Sequence, residues 1–437
     1  TLTMTASCMI AQSFHYPKAP QDNTVDTYFG TQIADPYRPL EDDNSAETER
    51  WVTAENALTR QYLDQLPQRP KLMKRLKEVA NYEKVSTPFK RHGTWYVYKN
   101  NGLQNQSVLY KMDKLGGTLH EVLDPNKLSS DGTVALKSVS FSHNGRYMAY
   151  IVSRNGSDWQ EIYVKDLETE QDLTDHIEWA KFSNAAWRGD GFYYSAYDAP
   201  TGHAFTSKNE VHKIYYHKLG TPQSEDELFY QNPAFPLRFY DVMVNKEETV
   251  MYLTESGEGS GNNLYVRDLR RPDAQFVQMT NDMNLQYSPV QTVGDSIYIF
   301  TNAGAQKNRL MLANLAKPGI KDWKVLVPEA EYVLDDVTFT HGKMVLNYSK
   351  DASSHCYLYT LEGRNLGEIK LPSVGSVSFS GERNEPECFF SFSSFTVPGT
   401  VYLFDTDSRT SRVYSQPKVN FKPNDFVTKQ IFYASKD

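Results

Sequence analysis

Cysteine is nearly absent: Cys8, Cys356 and Cys388 are the only three in 437 residues. They are too few and too scattered for a disulfide framework or a zinc site. Cys356 and Cys388 lie in strand-like runs (Cys-Tyr-Leu-Tyr and Cys-Phe-Phe-Ser-Phe), which reads as two buried thiols. Long apolar runs are missing as well. Nothing approaches the ~18 uninterrupted apolar residues of a membrane helix, so no segment is expected to span a bilayer. Basic charge is not in excess, with 46 Lys+Arg against 54 Asp+Glu and a net charge of −8. Without a dense Lys/Arg block there is no electrostatic footprint for nucleic acid.

Catalytic signatures are also lacking. There is no Gly-x-Ser-x-Gly elbow, and the nearest string, Gly257-Glu-Gly-Ser-Gly261, has its serine out of register and reads as a glycine-rich hairpin. No phosphate loop, dinucleotide fingerprint or His-Glu-x-x-His helix occurs. The ten histidines are dispersed, and His212 and His217 flank one strand at odd spacing, which sends them to opposite faces. Asp335-Asp336 and Asp405/Asp407 read as turn residues rather than calcium ligands. The expectation is therefore no catalytic residue, no metal and no cofactor within these 437 residues.

What is plentiful is aromatic: 29 Tyr and 22 Phe, a weight that favours strands. Residues 1–14 stand apart; they are small and apolar, with no initiating Met. They match either the tail of a bacterial secretion signal or a stretch of cloning origin, which leaves the compartment open between periplasm and cytoplasm. Helical period is convincing only over 15–81. Asn44-Ser-Ala-Glu47 reads as a capping box ahead of Trp51, Ala54, Leu58 and Tyr62. A second short helix after Pro70 carries Leu72, Leu76 and Val79 on one face and lysines around it. Such a helix reads as packed on a neighbour rather than lying on a membrane surface.

From residue 82 the pattern switches to period two. An aliphatic residue followed by a large one, usually Tyr, recurs at Leu109-Tyr110, Ile162-Tyr163, Ile214-Tyr215, Leu264-Tyr265, Leu310-Met311, Leu358-Tyr359 and Val401-Tyr402, every 43 to 53 residues. Each copy follows two strand-like runs split by a polar turn, and a shorter fourth run usually comes after. Four strands per 40–50 residues is the period of a propeller blade. The predicted fold is all-β: a seven-bladed β-propeller over 82–422, with 423–437 beginning a further strand that its own chain leaves unpaired. The propeller gives the helices of 15–81 and this last strand no core of their own.

Specific strings then carry a resemblance. Asp35-Pro-Tyr-Arg-Pro-Leu-Glu-Asp42 and Trp51-Val-Thr-Ala-Glu-Asn56 resemble the N-terminal signature of the prolyl oligopeptidase family. So do Gly102-Leu-Gln-Asn-Gln106, Leu128-Ser-Ser-Asp-Gly-Thr-Val-Ala-Leu136, Gly156-Ser-Asp-Trp159 and Trp323-Lys-Val-Leu-Val-Pro328. Gln430-Ile-Phe-Tyr-Ala-Ser-Lys-Asp437 resembles the junction before that family's hydrolase domain. Pro39 departs from the pattern, where the family usually has an aromatic residue. The resemblance implies a serine endopeptidase that cleaves short proline-containing peptides after proline, its Ser, Asp and His on an α/β-hydrolase domain joined in cis. The helical segment would pack on that domain, absent here, and the propeller would gate its active site. This chain alone is expected to be inactive. The resemblance also carries substrate contact to Phe182, from Lys181-Phe-Ser183 with Trp187, and more loosely to Phe239, in Pro236-Leu-Arg-Phe239. The plain alternative for both is inter-blade packing. The alternative for the whole chain is a freestanding propeller that binds peptides or proteins without catalysis.

Overall fold

A computed structural model describes residues 14–42, 45–200 and 208–436. Cys8, most of the 1–14 stretch and Asn44 lie outside the described residues. The chain divides into two compact units, Thr1–Glu78 with Ala199–Lys208, and Val79–Asp198 with Asn209–Asp437.

The first unit holds a hairpin, Val25–Tyr28 with Thr31–Ala34, and helix α1, Ala46–Asp64. Arg38 ties the hairpin to the segment after it. Its Nε donates to Asp35 Oδ2 at 2.7 Å, and its guanidinium also pairs with Asp26. The Asp35–Asp42 string is thus a local clamp. At α1 the structure shifts the expected cap by one residue: Ser45 Oγ accepts from Thr48 N at 3.1 Å, which satisfies one of the first-turn N–H groups. Helix α2, Arg69–Ala80, follows. Its Leu72, Met73, Leu76 and Val79 are exposed. No described helix is long and apolar enough to cross a membrane.

The second unit is a β-propeller. Its sheets are antiparallel with strands in chain order, and the aliphatic–aromatic marks fall on the third strand of each set of four. Alternation turns apolar faces toward one another, and the apolar clusters lie between successive sheets or, within 134–231, between the two halves of the eight-stranded sheet. Val250, Leu264 and Val266 pack with Ile297, Ile299 and Met311 in one such layer. Val345, Cys356 and Leu358 pack with Phe390, Phe392 and Phe404 in another. The two thiols are buried there, and burial pushes both up to about 12. Gln106 stitches two neighbouring sheets, donating to Val134 O and accepting from Leu136 N, both at 2.8 Å.

The number of blades corrects the sequence expectation. Five sheets are discrete blades, spanning 84–123, 239–278, 287–327, 333–369 and 376–415. The stretch 134–231, which carries two of the seven repeat marks, forms one eight-stranded sheet instead of two separate blades. The junction is the strand Asp172–Ala180, which runs on until Ala180 pairs with Ala196. The hydrogen bonds Lys181 N to Ser195 O and Tyr197 N to Trp179 O, both 3.3 Å, continue that pairing. A repeat period counts strands, but it does not reveal where a sheet breaks. Two smaller expectations also shift. Asp335-Asp336 lies inside the strand Val333–Thr340 at a register shift, not in a turn. The run Val427–Tyr433 forms no strand and is exposed at Val427, Ile431, Phe432 and Tyr433.

Side chains close the ring. The first and last blades share no strand among the described residues. Trp95 meets Phe389 edge-on with ring centroids 5.9 Å apart, flanked by Lys90–Glu385 and Arg91–Glu382 pairs at 2.7 Å.

A buried charge cluster reinforces the eight-stranded sheet. His217, fully buried, lies between two carboxylates, with Nδ1 at 2.7 Å from Asp226 and Nε2 at 3.0 Å from Asp175. Tyr194 Oη donates to Asp226 at 2.7 Å and Gly220 N to Asp175 at 2.7 Å. Burial alone lowers the His217 pKa, but Asp226 and then Asp175 outweigh it and raise it above the ordinary value. A raised histidine pKa means the folded state holds the extra proton, so the stabilisation is complete below the unfolded value. It is lost as pH rises through the folded value. His217→Gln should cost about 3–5 kcal/mol near neutral pH, because two buried carboxylates lose their cation. In urea titrations the gap between wild type and variant should shrink as pH rises above ~6.5, the unperturbed histidine value. A gap that widens with pH would contradict the assignment.

Candidate functional site

Phe182 and Phe239, singled out separately in the sequence, meet in the structure. Their ring centroids are 5.1 Å apart at 61°, the edge-to-face arrangement that aromatic quadrupoles favour. Neither is core: Phe182 is 54% exposed and Phe239 38%. Phe182 sits at φ +51° in the link between the two halves of the eight-stranded sheet, and Phe239 begins the strand Phe239–Val244. A left-handed backbone at a bulky residue is strained, so its surroundings must hold it.

The holding group is His212, which is fully buried. Its Nδ1 is 2.9 Å from Tyr240 N and its Nε2 2.9 Å from Lys181 O. A backbone N–H can only donate and a carbonyl can only accept. His212 therefore accepts at Nδ1 and donates from Nε2 as a neutral imidazole. Burial pushes its pKa down to about 4, consistent with that form. One ring thus joins the residue before Phe182 to the residue after Phe239. Ser195 adds to the frame, its Oγ donating to Tyr240 O at 2.8 Å and its N–H to Ser183 Oγ at 2.9 Å.

A second anchor fixes the approach to Phe239. Arg238 donates to Glu255 at 3.0 Å and to Glu258 at 3.1 Å, with its guanidinium 3.5 Å from the Phe235 ring centroid. Glu255 is 2% exposed and also accepts from Tyr240 Oη, Asn263 Nδ2 and Tyr265 Oη at 3.0–3.1 Å. Burial raises its pKa, but the hydrogen bonds from Asn263, Arg238 and Tyr265 outweigh it and hold the carboxyl below its ordinary value. Beside Phe182, Lys181 Nζ lies 4.9 Å from the Trp159 ring and 5.7 Å from the Phe182 ring. The site is a small aromatic ledge on a rigid polar frame, with a cation at its edge. It offers apolar contact, and no described side chain on it is set up as a nucleophile.

The sequence singles out the two rings, which the structure brings into contact, and gives no sign of the frame behind them. His212 was weighed only as half of a metal pair, and the structure gives His212 and His217 separate partners. Among the described residues no group of three or more His, Cys, Asp or Glu side chains is arranged to hold a metal ion. Glu255 left no legible trace, since it stands between Thr254 and Ser256 at the polar end of the strand Val250–Ser256. The Gly257–Gly261 string is a hairpin, as read. A Cβ on Gly259 or Gly261 would lie 2.1 and 2.0 Å from the carbonyl oxygens of Met283 and Leu285. Ser260 Oγ donates to Asn284 O at 3.2 Å.

At the other end of the strand Phe239–Val244, charges cross the ring. Lys246 pairs with Glu382 at 3.5 Å, and Arg383 with Glu247 at 3.4 Å. Their blades, 239–278 and 376–415, are separated by two others, so these pairs bridge the axis. Surface pairs of this kind contribute little stability, about 0–1 kcal/mol each.

If His212 joins the two segments, His212→Ala should leave Tyr240 N and Lys181 O unsatisfied and cost about 2–4 kcal/mol in urea unfolding. A change below about 0.5 kcal/mol, the scale of an ordinary surface substitution, would contradict this assignment.

The comparisons with known proteins bear on the family of the chain. Residues 17–417 match the family profile described as prolyl oligopeptidase, N-terminal beta-propeller domain. A prolyl endopeptidase of Elizabethkingia meningoseptica is 39% identical over 425 residues, covering 97% of this chain and 60% of that protein. Prolyl oligopeptidase A of Galerina marginata is 31% identical over 468 residues, covering 97% and 63%. Among solved structures, prolyl oligopeptidase B of Galerina marginata bound to a 35mer hydrolysis and macrocyclization substrate superposes with a TM-score of 0.83 at 29% identity. That match covers 96% of this chain and 64% of the other. This chain therefore spans about 60% of the length of the curated relatives it matches. On the extent of the profile match, the chain belongs to the prolyl oligopeptidase family, through its N-terminal β-propeller domain.

Proposed function

We propose that this chain is the N-terminal segment and substrate-gating propeller of a serine endopeptidase that cleaves short peptides after proline. The observation that carries the reading is the match of residues 17–417 to the family's propeller, alongside relatives named prolyl endopeptidases. In this reading the catalytic serine, histidine and aspartate belong to an α/β-hydrolase domain outside these 437 residues. Histidine there acts as general base, aspartate orients it, and backbone donors stabilise the tetrahedral oxyanion.

The propeller's contribution is selection and positioning. The ion pairs across the axis favour passage of small, flexible peptides over folded chains. The Phe182–Phe239 ledge gives an apolar surface to a substrate side chain near the scissile proline, and the His212 frame fixes it before the peptide arrives. Apolar contact on a fixed surface avoids part of the ordering cost of binding. The exposed apolar face of α2 suits packing on the hydrolase domain in cis.

Two measurements test this. The 437-residue chain alone should not hydrolyse a Gly-Pro reporter peptide; turnover abolished by a serine-directed phosphonate would overturn the assignment of catalysis to another domain. In the enzyme with its hydrolase domain joined, Phe182→Ala should raise KM about fivefold and leave kcat nearly unchanged, the loss of roughly 1 kcal/mol of apolar contact. Unchanged KM with a lowered unfolding midpoint would assign Phe182 to packing instead.

A further inference from the structure

We propose that the groove between Arg188 and Arg267 is a binding site for a planar aromatic anion, such as an aryl carboxylate. The groove lies between the eight-stranded sheet and the blade 239–278, and it encloses about 410 Å³. That is within the ~300–1,000 Å³ common for small-molecule sites. It opens at the Arg188 end of the strand Ala186–Arg188, away from the Phe182 ledge, so it does not depend on the peptide reading.

Its walls are aromatic, and among the described residues its two arginines are not ion-paired. Tyr193 packs against Phe229 and Tyr216 with centroids 4.6 and 4.9 Å apart, and all three line the groove. Arg38, Arg146, Arg154, Arg238 and Arg270 each hold a carboxylate. Arg188 and Arg267 have none within ion-pair distance among the described residues. Arg188 donates only to Tyr193 Oη, at 3.2 Å. Arg267 donates from Nη2 to Pro272 O at 3.3 Å, while its Nε is buried with no partner. The Arg267 guanidinium lies 5.9 Å from the Phe229 ring centroid. Glu227, the one carboxylate lining the groove, pairs with neither arginine.

Buried polar groups in native structures ordinarily find partners, and each exception calls for a reason. Among the described residues, Arg188 and Arg267 both line this groove without an ion-pair partner, and Glu227 is the single carboxylate among its lining residues. An anion supplies the missing ion-pair partner, since guanidinium matches carboxylate with two parallel hydrogen bonds. The aromatic walls select the rest of the ligand: a flat ring fills a slot lined by Tyr193, Tyr216 and Phe229, which a bare inorganic anion leaves empty.

The test is isothermal titration of the 437-residue chain with 1-naphthoate, with neutral 1-naphthamide and with inorganic phosphate. Saturable 1:1 binding of 1-naphthoate is expected, with the amide and phosphate each at least about tenfold weaker. Arg267→Met and Arg188→Met should each weaken 1-naphthoate binding about tenfold or more, with the far-ultraviolet spectrum unchanged. If Arg267→Met fails to fold, Arg188→Met decides. No saturation, an amide that binds as well, phosphate that binds as tightly, or a folded variant with unaltered affinity would each overturn the proposal.

Discussion

The propeller depends on face-to-face packing of twisted sheets that must come back to their starting point without sharing a strand. Successive blades bury one another's faces, so each apolar layer is shared by two sheets and neither is stable without the other. At the closure the layer must work between the two chain-distant blades. There Trp95 and Phe389 replace the ladder hydrogen bonds a shared strand would supply, and the flanking Lys90 and Arg91 pairs add charge. This requirement accounts for the aromatic composition. Large flat side chains fill wide inter-sheet gaps at low entropic cost, and stacked pairs such as Phe390–Tyr402, 4.9 Å apart, recur between neighbouring strands.

Polar groups buried in that framework set its details. His217 carries charge between two carboxylates and strengthens the sheet that runs through two repeats. His212, five residues earlier, is neutral between a backbone donor and a backbone acceptor, and it fixes the Phe182–Phe239 ledge. The same side chain type is pushed in opposite directions because its partners differ: carboxylates raise the pKa of His217, while burial between a peptide N–H and a carbonyl lowers that of His212. The ledge is therefore held by buried groups behind the two exposed rings.

Much of this was legible in the sequence, and the limits have physical causes. The period of Leu109-Tyr110 and its successors reports strand count and inter-blade packing, because those are imposed residue by residue. Whether two blades fuse depends on one pairing, Ala180 with Ala196, and small apolar residues at strand ends carry no mark of it. Phe182 and Phe239 came from resemblance, and nothing in their spacing of 57 residues shows that they touch. The capping region was recognisable but off by one, since Ser45 competes with Asn44 for the same role. His212 and Glu255 could not be read, because a buried polar residue is defined by partners far away in the chain.

The measurement that tests the account most directly is a structure of this chain joined to the proposed hydrolase domain, with a proline-containing peptide phosphonate bound. The account predicts a peptide side chain within about 4.5 Å of both the Phe182 and Phe239 rings, with His212 still bonded to Lys181 O and Tyr240 N. A peptide bound productively with no contact to either ring would contradict it, and the ledge would then be a feature of packing alone.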